Sequence, residues 1–212
     1  ARTGGRWVGP LATDPRTITV PGPSGTTSVG AADALTGVSV NATHRRRGLL
    51  TSMITRSLAA AKERGDAVSL LIAAEWPIYG RFGYAPATRS ANYTYYSRGP
   101  SAKVRPAEPG TVRQVDAAKL GELARGIHEA AGRARVGHLN RDQAWCARTL
   151  GLDGLEPTGT VPHYYVRDGA DGPDGLLAWK VARDFDLDGS LGAAEVVDLI
   201  TASDGAYRDL WA

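Results

Sequence analysis

A chain of 212 residues, 42% hydrophobic and 22% charged, is long enough to bury one large core or two small ones, which excludes disorder as a class. Lys plus Arg at 25 against Asp plus Glu at 22 leaves +3, well short of the clustered excess that marks a dedicated nucleic-acid binder. One cysteine, Cys146, excludes an intramolecular disulfide framework and a Cys-based structural zinc site, and it fits a reducing compartment, the cytoplasm. The sequence contains no apolar run of about 18 residues, so no membrane-spanning helix is expected. The 26 glycines and 12 prolines predict many tight turns. Because Trp7 to Thr19 already reads as strand and turn behind a non-methionine Ala1, the natural start is expected upstream.

In chain order, Trp7, Val8, Leu11, Ile18 and Val20 lie among Pro and Asp turn signals and predict two short strands. A hairpin-like loop follows at Pro21, Gly22, Pro23 and Gly25, and Leu35–Val40 predicts a third strand. From Gly48 to Arg64 the apolar positions Leu50, Met53, Ile54, Leu58 and Ala61 recur mostly three and four apart, with Gly65 placed as a C-terminal cap, which predicts a helix. Ala67–Ala73, bounded by Asp66 and Glu75, reads as a parallel strand covered on both faces, completing a βαβ unit. The pattern changes near residue 90. Beyond Pro106 it predicts helices over Val115–Ala131 and Asn140–Leu150 and strands over His163–Arg167, Leu176–Ala182 and Glu195–Thr201. A helix capped by Ser203 runs to Trp211, and its abrupt apolar end leads us to expect more chain.

The stretch from Val38 to Thr51 joins a predicted strand to a predicted helix through His44, Arg45, Arg46, Arg47 and Gly48. A helix start leaves four backbone N–H groups unpartnered, and the macrodipole adds about half a positive charge, so a phosphate or pyrophosphate suits this junction. The lysine and hydroxyl of a Walker A loop are absent, and no G-x-G-x-x-G follows the strand. The competing reading of Arg45–Arg47 is a solvated basic turn or a nucleic-acid or targeting patch.

Arg45-x-x-Gly48-x-Leu50 resembles the acetyl-CoA loop of the GCN5-related N-acetyltransferases (GNAT), although Leu50 stands where that superfamily usually has a small residue. The longer string Val38–Leu50, with Ile78-Tyr79-Gly80-Arg81-Phe82-Gly83-Tyr84 downstream, resembles the Eis (enhanced intracellular survival) branch, closely so from Thr17 to Thr88. The resemblance implies an α/β fold: a GNAT-type mixed sheet with the acetyl-CoA loop over residues 1–90, its leading part missing, then a second, degenerate GNAT-like module over 91–212. With no second Arg-x-x-Gly between strand and helix, one acetyl-CoA per chain is expected. The resemblance further implies that Val38, Ser39 and Val40 receive the acetyl-pantetheine arm. Arg46, Arg47, Gly48, Leu49, Leu50 and Thr51 would receive the pyrophosphate, with Ala74 and Glu75 across the cofactor. A strand-ending polar residue is the plainer reading of Glu75.

The implied activity is acetyl-CoA-dependent N-acetylation of a small-molecule or peptide amine, such as an aminoglycoside, a polyamine or a lysine side chain, with neither nucleic acid nor membrane as partner. Tyr79 takes the general-acid role in the resembling family. The chemistry agrees, since a phenol of pKa about 10 can donate to a thiolate leaving group of pKa about 8.5. A lysine-like acceptor of pKa about 10.4 costs about 4.6 kcal/mol to deprotonate at pH 7, so a base is needed. The family supplies it from the chain terminus of a third, sterol-carrier-like domain that these 212 residues do not include, and it assembles as homo-oligomers, commonly hexamers. No base is assigned, and the chain alone is expected to acetylate slowly.

One pattern favours a different class, a calcium- or partner-binding module on a degenerate acetyltransferase fold. Asp184-x-Asp186-x-Asp188-Gly189 with Glu195 matches an EF-hand loop, but the β-branched flanks predict a hairpin turned at Asp188-Gly189 instead. His44, His128, His138 and His163 show no metal-ligand spacing, so no metal is expected. Cys146 reads as a buried small hydrophobe, and Tyr84, Tyr93, Tyr95 and Tyr96 as core or sheet-face aromatics.

Overall fold

The computed structural model describes residues 1–3, 5–93, 109–133, 135–154, 162–182 and 193–212. The chain divides into two units, Ala1–Tyr96 and Ser97–Ala212. The first opens with a small hairpin of β1 (Arg2–Thr3) and β2 (Arg6–Trp7). Then β3 (Ala12–Pro21) runs antiparallel to β4 (Thr27–Thr36), from Ala12 opposite Thr36 to Pro21 opposite Thr27. Helix α1 (Leu49–Arg64) crosses to β5 (Val68–Leu71), which lies parallel to β4, giving the order β3-β4-β5. The expected βαβ unit is therefore β4-α1-β5. Ile54 and Ala61 of α1 are buried, as are Val8, Ala32 and Leu35. Arg64, in the last turn of α1, donates to the buried Asp33 of β4 at 2.7 Å and to Asp66 at 2.7 Å, tying the helix end to the sheet.

Three expectations change here. The two short strands over Trp7–Val20 become mainly one ten-residue strand, β3. Most of β4 was not legible, because Gly30, Ala31, Ala32 and Ala34 carry too little side chain for an apolar alternation. The strand expected over Leu35–Val40 stops at Thr36, where Gly37 takes φ 61°, a left-handed turn that a side chain would oppose. The doubly covered strand over Ala67–Ala73 shrinks to the four residues of β5, which among the described residues pairs only with β4, and Ile72 beyond it is 97% exposed.

The second unit is an antiparallel sheet, β6 (Thr111–Gln114), β7 (His163–Gly169), β8 (Gly172–Ala182) and β9 (Ala193–Thr201), in that order. Helix α2 (Leu120–Gly132) buries Leu120, Ala124, Ile127 and Ala131 in one cluster with Tyr164, Val166, Leu176, Ala178 and Ile200. Helix α3 (Gln143–Thr149) starts at the Asp142 cap, whose side chain accepts from the Trp145 N–H at 2.7 Å. Helix α4 (Asp204–Trp211) starts at Ser203, whose hydroxyl accepts from the Ala206 N–H at 3.0 Å. The helix expected over Val115–Ala131 begins at Leu120 instead, after a 3-10 turn at Ala117–Lys119, because the Val115 N–H extends the sheet by donating to Tyr164 at 3.0 Å.

The EF-hand pattern falls mostly outside the described residues. Its flanks are the paired strands β8 and β9, with Lys180 opposite Glu195, so the helices that an EF-hand needs are not there. Cys146 is buried, which pushes its thiol pKa up. Tyr93 is 92% exposed and thus no core aromatic, while Tyr95 and Tyr96 lie outside the described residues.

Two histidines with no motif spacing meet in space: His138 Nε2 lies 3.2 Å from His128 Nδ1. Burial, then the Arg141 charge and then His138 lower the His128 pKa to about 4, and burial, Arg135 and Arg141 also lower that of His138. The folded state thus favours neutral imidazole, and the unfolded chain, with a histidine pKa near 6.5, takes up the proton first. Stability from this site is complete above about pH 6.5 and is lost as pH falls toward 4, by up to about 3 kcal/mol. Denaturant melts between pH 7.5 and 4 should show this slope, and His128→Gln should flatten it; equal slopes would mean that the pair is hydrated.

Candidate active site

Because β4 and β5 are parallel and in register from Ala32 opposite Val68 to Leu35 opposite Leu71, their C-terminal ends lie side by side at one end of the sheet. Parallel sheets receive ligands at that end. The segment that leaves β4 carries Val38 to Thr51, and the segment that leaves β5 carries Ala74, Glu75 and Tyr79, so both depart from the same end of the sheet.

The first segment remains extended after Gly37. The Ser39 N–H donates to the Pro10 carbonyl at 3.2 Å and the Asn41 N–H to the Val8 carbonyl at 2.8 Å, an antiparallel pattern. Alternation along an extended chain turns the Val38 and Val40 peptide groups to the opposite edge. A 3-10 turn at Ala42–His44 follows, with the Asn41 side chain accepting from the Thr43 N–H at 3.1 Å and from the Thr43 hydroxyl at 2.9 Å.

Arg46 then takes φ 60° and Gly48 φ 74°, two left-handed residues with Arg47 between them. Such reversals aim successive N–H groups into a concavity of the kind that holds anions. Gly48 is the N-cap of α1, and the helix bonding begins with the Ser52 N–H donating to the Gly48 carbonyl at 2.9 Å; with no side-chain cap, the first-turn N–H groups before it are left without an intrahelical partner. The N–H groups of Leu49, Leu50 and Thr51 lie in that first turn, which carries no acidic side chain, while Arg45, Arg46 and Arg47 are exposed beside it. Leu49 and Leu50 are half-buried and Thr51 is exposed. The arrangement is a positively charged helix start with free donors.

The second segment makes two successive 3-10 turns, Trp76–Ile78 and Gly80–Phe82, and Tyr79 is the hinge between them at φ −90°, ψ −22°. Its carbonyl accepts from the Phe82 N–H at 3.0 Å and the Tyr84 N–H at 3.4 Å. Ala74 and Glu75 are exposed, whereas Tyr79 is half-buried. Tyr84, read from the sequence as packing, is more than that: its hydroxyl is 2.7 Å from Ser69 Oγ on β5, and its ring meets Tyr79 edge-on at 6.1 Å. No motif could have shown this contact, since Ser69 carries no sequence signal of its own. A cleft of about 420 Å³ beside Trp7, Met53 and Arg56 and another of about 470 Å³ beside Arg125 and Arg141 include neither Tyr79 nor Arg46–Gly48.

The family model of an acetyltransferase (GNAT) domain matches residues 1–87, and a second acetyltransferase (GNAT) domain model matches residues 137–212. The chain belongs to the GNAT acetyltransferase family. It carries two GNAT domains of mixed α/β structure. It is 40% identical over 189 residues to an uncharacterised N-acetyltransferase of Streptomyces griseus, covering 85% of this chain and 45% of that protein. It is 30% identical over 200 residues to N-acetyltransferase Eis of Mycobacterium tuberculosis, covering 92% of this chain and 46% of that one. The crystal structure of Eis1 from Mycobacterium abscessus is similar with a TM-score of 0.73 at 28% identity, over 100% of this chain and 51% of that chain. This GNAT chain spans about half the length of the curated relatives it matches. Among the described residues, no group of three or more His, Cys, Asp or Glu is placed to hold a metal ion, and no helix is long and apolar enough to cross a membrane.

Proposed function

We propose that the chain binds acetyl-CoA at the β4–α1 junction and belongs to an Eis-branch enzyme that transfers the acetyl group to an amine. What carries this reading is the juxtaposition of an uncapped helix start, bent through left-handed Arg46 and Gly48, with the Tyr79 turn at the same end of the sheet. A non-glycine residue in the left-handed region costs about 1 kcal/mol or more, and such strain gathers where a ligand is held. Backbone N–H groups from Arg46 to Thr51 would donate to the pyrophosphate oxygens, with Arg46 and Arg47 adding charge. Val38 and Val40 offer peptide groups to the pantetheine amide, while the Ser39 N–H is already donated to Pro10 and so holds the segment in place. Ala74 and Glu75, leaving the end of β5, would line the other side.

In the reaction the amine nitrogen bonds to the thioester carbonyl carbon and the carbon–sulfur bond breaks. The Tyr79 phenol passes its proton to the departing thiolate, and the ammonium proton leaves to a base that we do not assign. The acceptor would be an aminoglycoside, polyamine or lysine amine, and the working form a homo-oligomer, as the Eis branch implies.

Gly48→Val tests the cofactor site. A Cβ at Gly48 would meet no other atom within 4 Å, so the damage comes from forcing a β-branched residue to φ 74° and bending the donors away. Calorimetric titration should give one acetyl-CoA per chain for the natural sequence and at least about tenfold weaker binding for the variant. Unchanged affinity would reject this site.

A further inference from the structure

We propose that Tyr84, anchored by Ser69, is a positioning residue that holds the Tyr79 ring in place for proton donation. This rests on the acetyltransferase reading of Tyr79. The turn that carries Tyr79 is short and open, with Trp76, Pro77, Gly80, Arg81 and Gly83 all exposed, so little of its own packing fixes the phenol. Tyr84 closes the turn by two separate contacts. Its N–H donates to the Tyr79 carbonyl at 3.4 Å, and its ring stands edge-on to the Tyr79 ring at 6.1 Å and 80°. That ring is itself fixed from outside the turn, because its hydroxyl shares a 2.7 Å hydrogen bond with Ser69 Oγ on β5. β5 is paired to β4, so the chain of contacts runs from the sheet through Ser69 and Tyr84 to Tyr79.

Burial raises the Tyr84 pKa above that of an ordinary phenol, ahead of the opposing effect of the Ser69 bond. Tyr84 therefore stays neutral and, being half-buried, serves as a strut. An edge-to-face pair of aromatic rings is favourable beyond burial alone and biases the orientation of the Tyr79 ring. Catalysis is sensitive at this scale, since displacing a reacting group by about 1 Å can cost about 100-fold.

The test uses the natural protein with the amine it acetylates best among an aminoglycoside, a polyamine and a lysine peptide. Ser69→Ala and Tyr84→Phe should each lower kcat about three- to tenfold while the KM for acetyl-CoA stays within about twofold. Ser69→Thr, which keeps the hydroxyl, should restore the rate. On a Tyr79→Phe background the same changes should have no further effect, because a positioning residue has nothing left to position. Multiplicative losses on that background would overturn the proposal and make Tyr84 an independent contributor. A second measurement does not depend on turnover. With ring-labelled tyrosine, the Tyr79 resonance should carry a ring-current shift that Tyr84→Phe reduces and Tyr84→Leu removes. An unchanged Tyr79 resonance in Tyr84→Leu would sink the proposal, whereas the expected shift in a protein that neither binds nor uses acetyl-CoA would sink the functional reading and leave the strut standing.

Discussion

Replacing Arg167 with methionine is expected to destabilise the second unit by about 3–5 kcal/mol, the usual cost of removing one partner from a buried ionic cluster. The Arg167 side chain is 1% exposed on β7. It donates to Asp174 on β8 at 2.6 Å, to Asp209 on α4 at 2.9 Å and to the Pro109 carbonyl at 3.4 Å. Asp174 also accepts from the Ser203 hydroxyl that caps α4. One guanidinium therefore joins two strands, the segment before β6 and the last helix. Without it, the Asp209 carboxylate loses the partner that repays its desolvation, and α4 loses its charged anchor. The helix packs tightly there: a Cβ at Gly175 would lie 2.8 Å from Leu210 Cδ1 and 2.9 Å from Ala206 Cβ, so α4 has no room to shift and compensate. Urea denaturation followed by the fluorescence of Trp179 and Trp211 would measure the loss. Replacing Arg167, Asp174 and Asp209 together with apolar residues should recover most of it, because no unpaired charge then remains. A loss below about 1 kcal/mol for Arg167→Met would show that water takes over the carboxylates.

Tyr79→Phe should lower kcat about 100-fold or more and leave acetyl-CoA affinity nearly unchanged. Phenylalanine keeps the ring, and with it the edge contact to Tyr84, so only the proton donor is lost. The backbone bonds that close the turn come from the Tyr79 carbonyl and survive the change. On the proposed mechanism the leaving thiolate must then depart without a proton, and the loss should be greatest where protonation of sulfur limits the step. Single-turnover measurements at saturating acetyl-CoA would isolate that step. Near-normal turnover would return Tyr79 to a packing role.

Helix α1 was legible from its apolar spacing and from Gly65, because helical contacts are local and recur every three to four residues. The uncapped, arginine-flanked start of α1 was legible for the same reason, since the arginines and Gly48 adjoin the helix in the chain. The matching motifs around Arg45–Leu50 and Ile78–Tyr84 pointed to the family for the same local reason. The limits of β4 were not legible: small residues gave no alternation, and whether the strand continued past Thr36 depended on the left-handed backbone at Gly37. The short, half-open β5 was likewise decided by its neighbours, because an apolar run reads the same whether one face is covered or two.

Other features belong to tertiary structure alone. The parallel pairing of β4 with β5 places the Arg46–Gly48 loop and the Tyr79 turn at one end of the sheet, though some thirty residues separate them in the sequence. His128 meets His138 without motif spacing, Ser69 meets Tyr84 across a turn, and Arg167 finds its two aspartates on another strand and another helix. A polar side chain shows its type in the sequence but not its partner, because the partner is chosen by pairing and burial that bring distant segments together. For this GNAT chain, the sequence by itself determined the helix, the arginine-rich loop at its start and the family. Only the tertiary structure decided where the strands stop, which charges are buried together and which ring meets Tyr79.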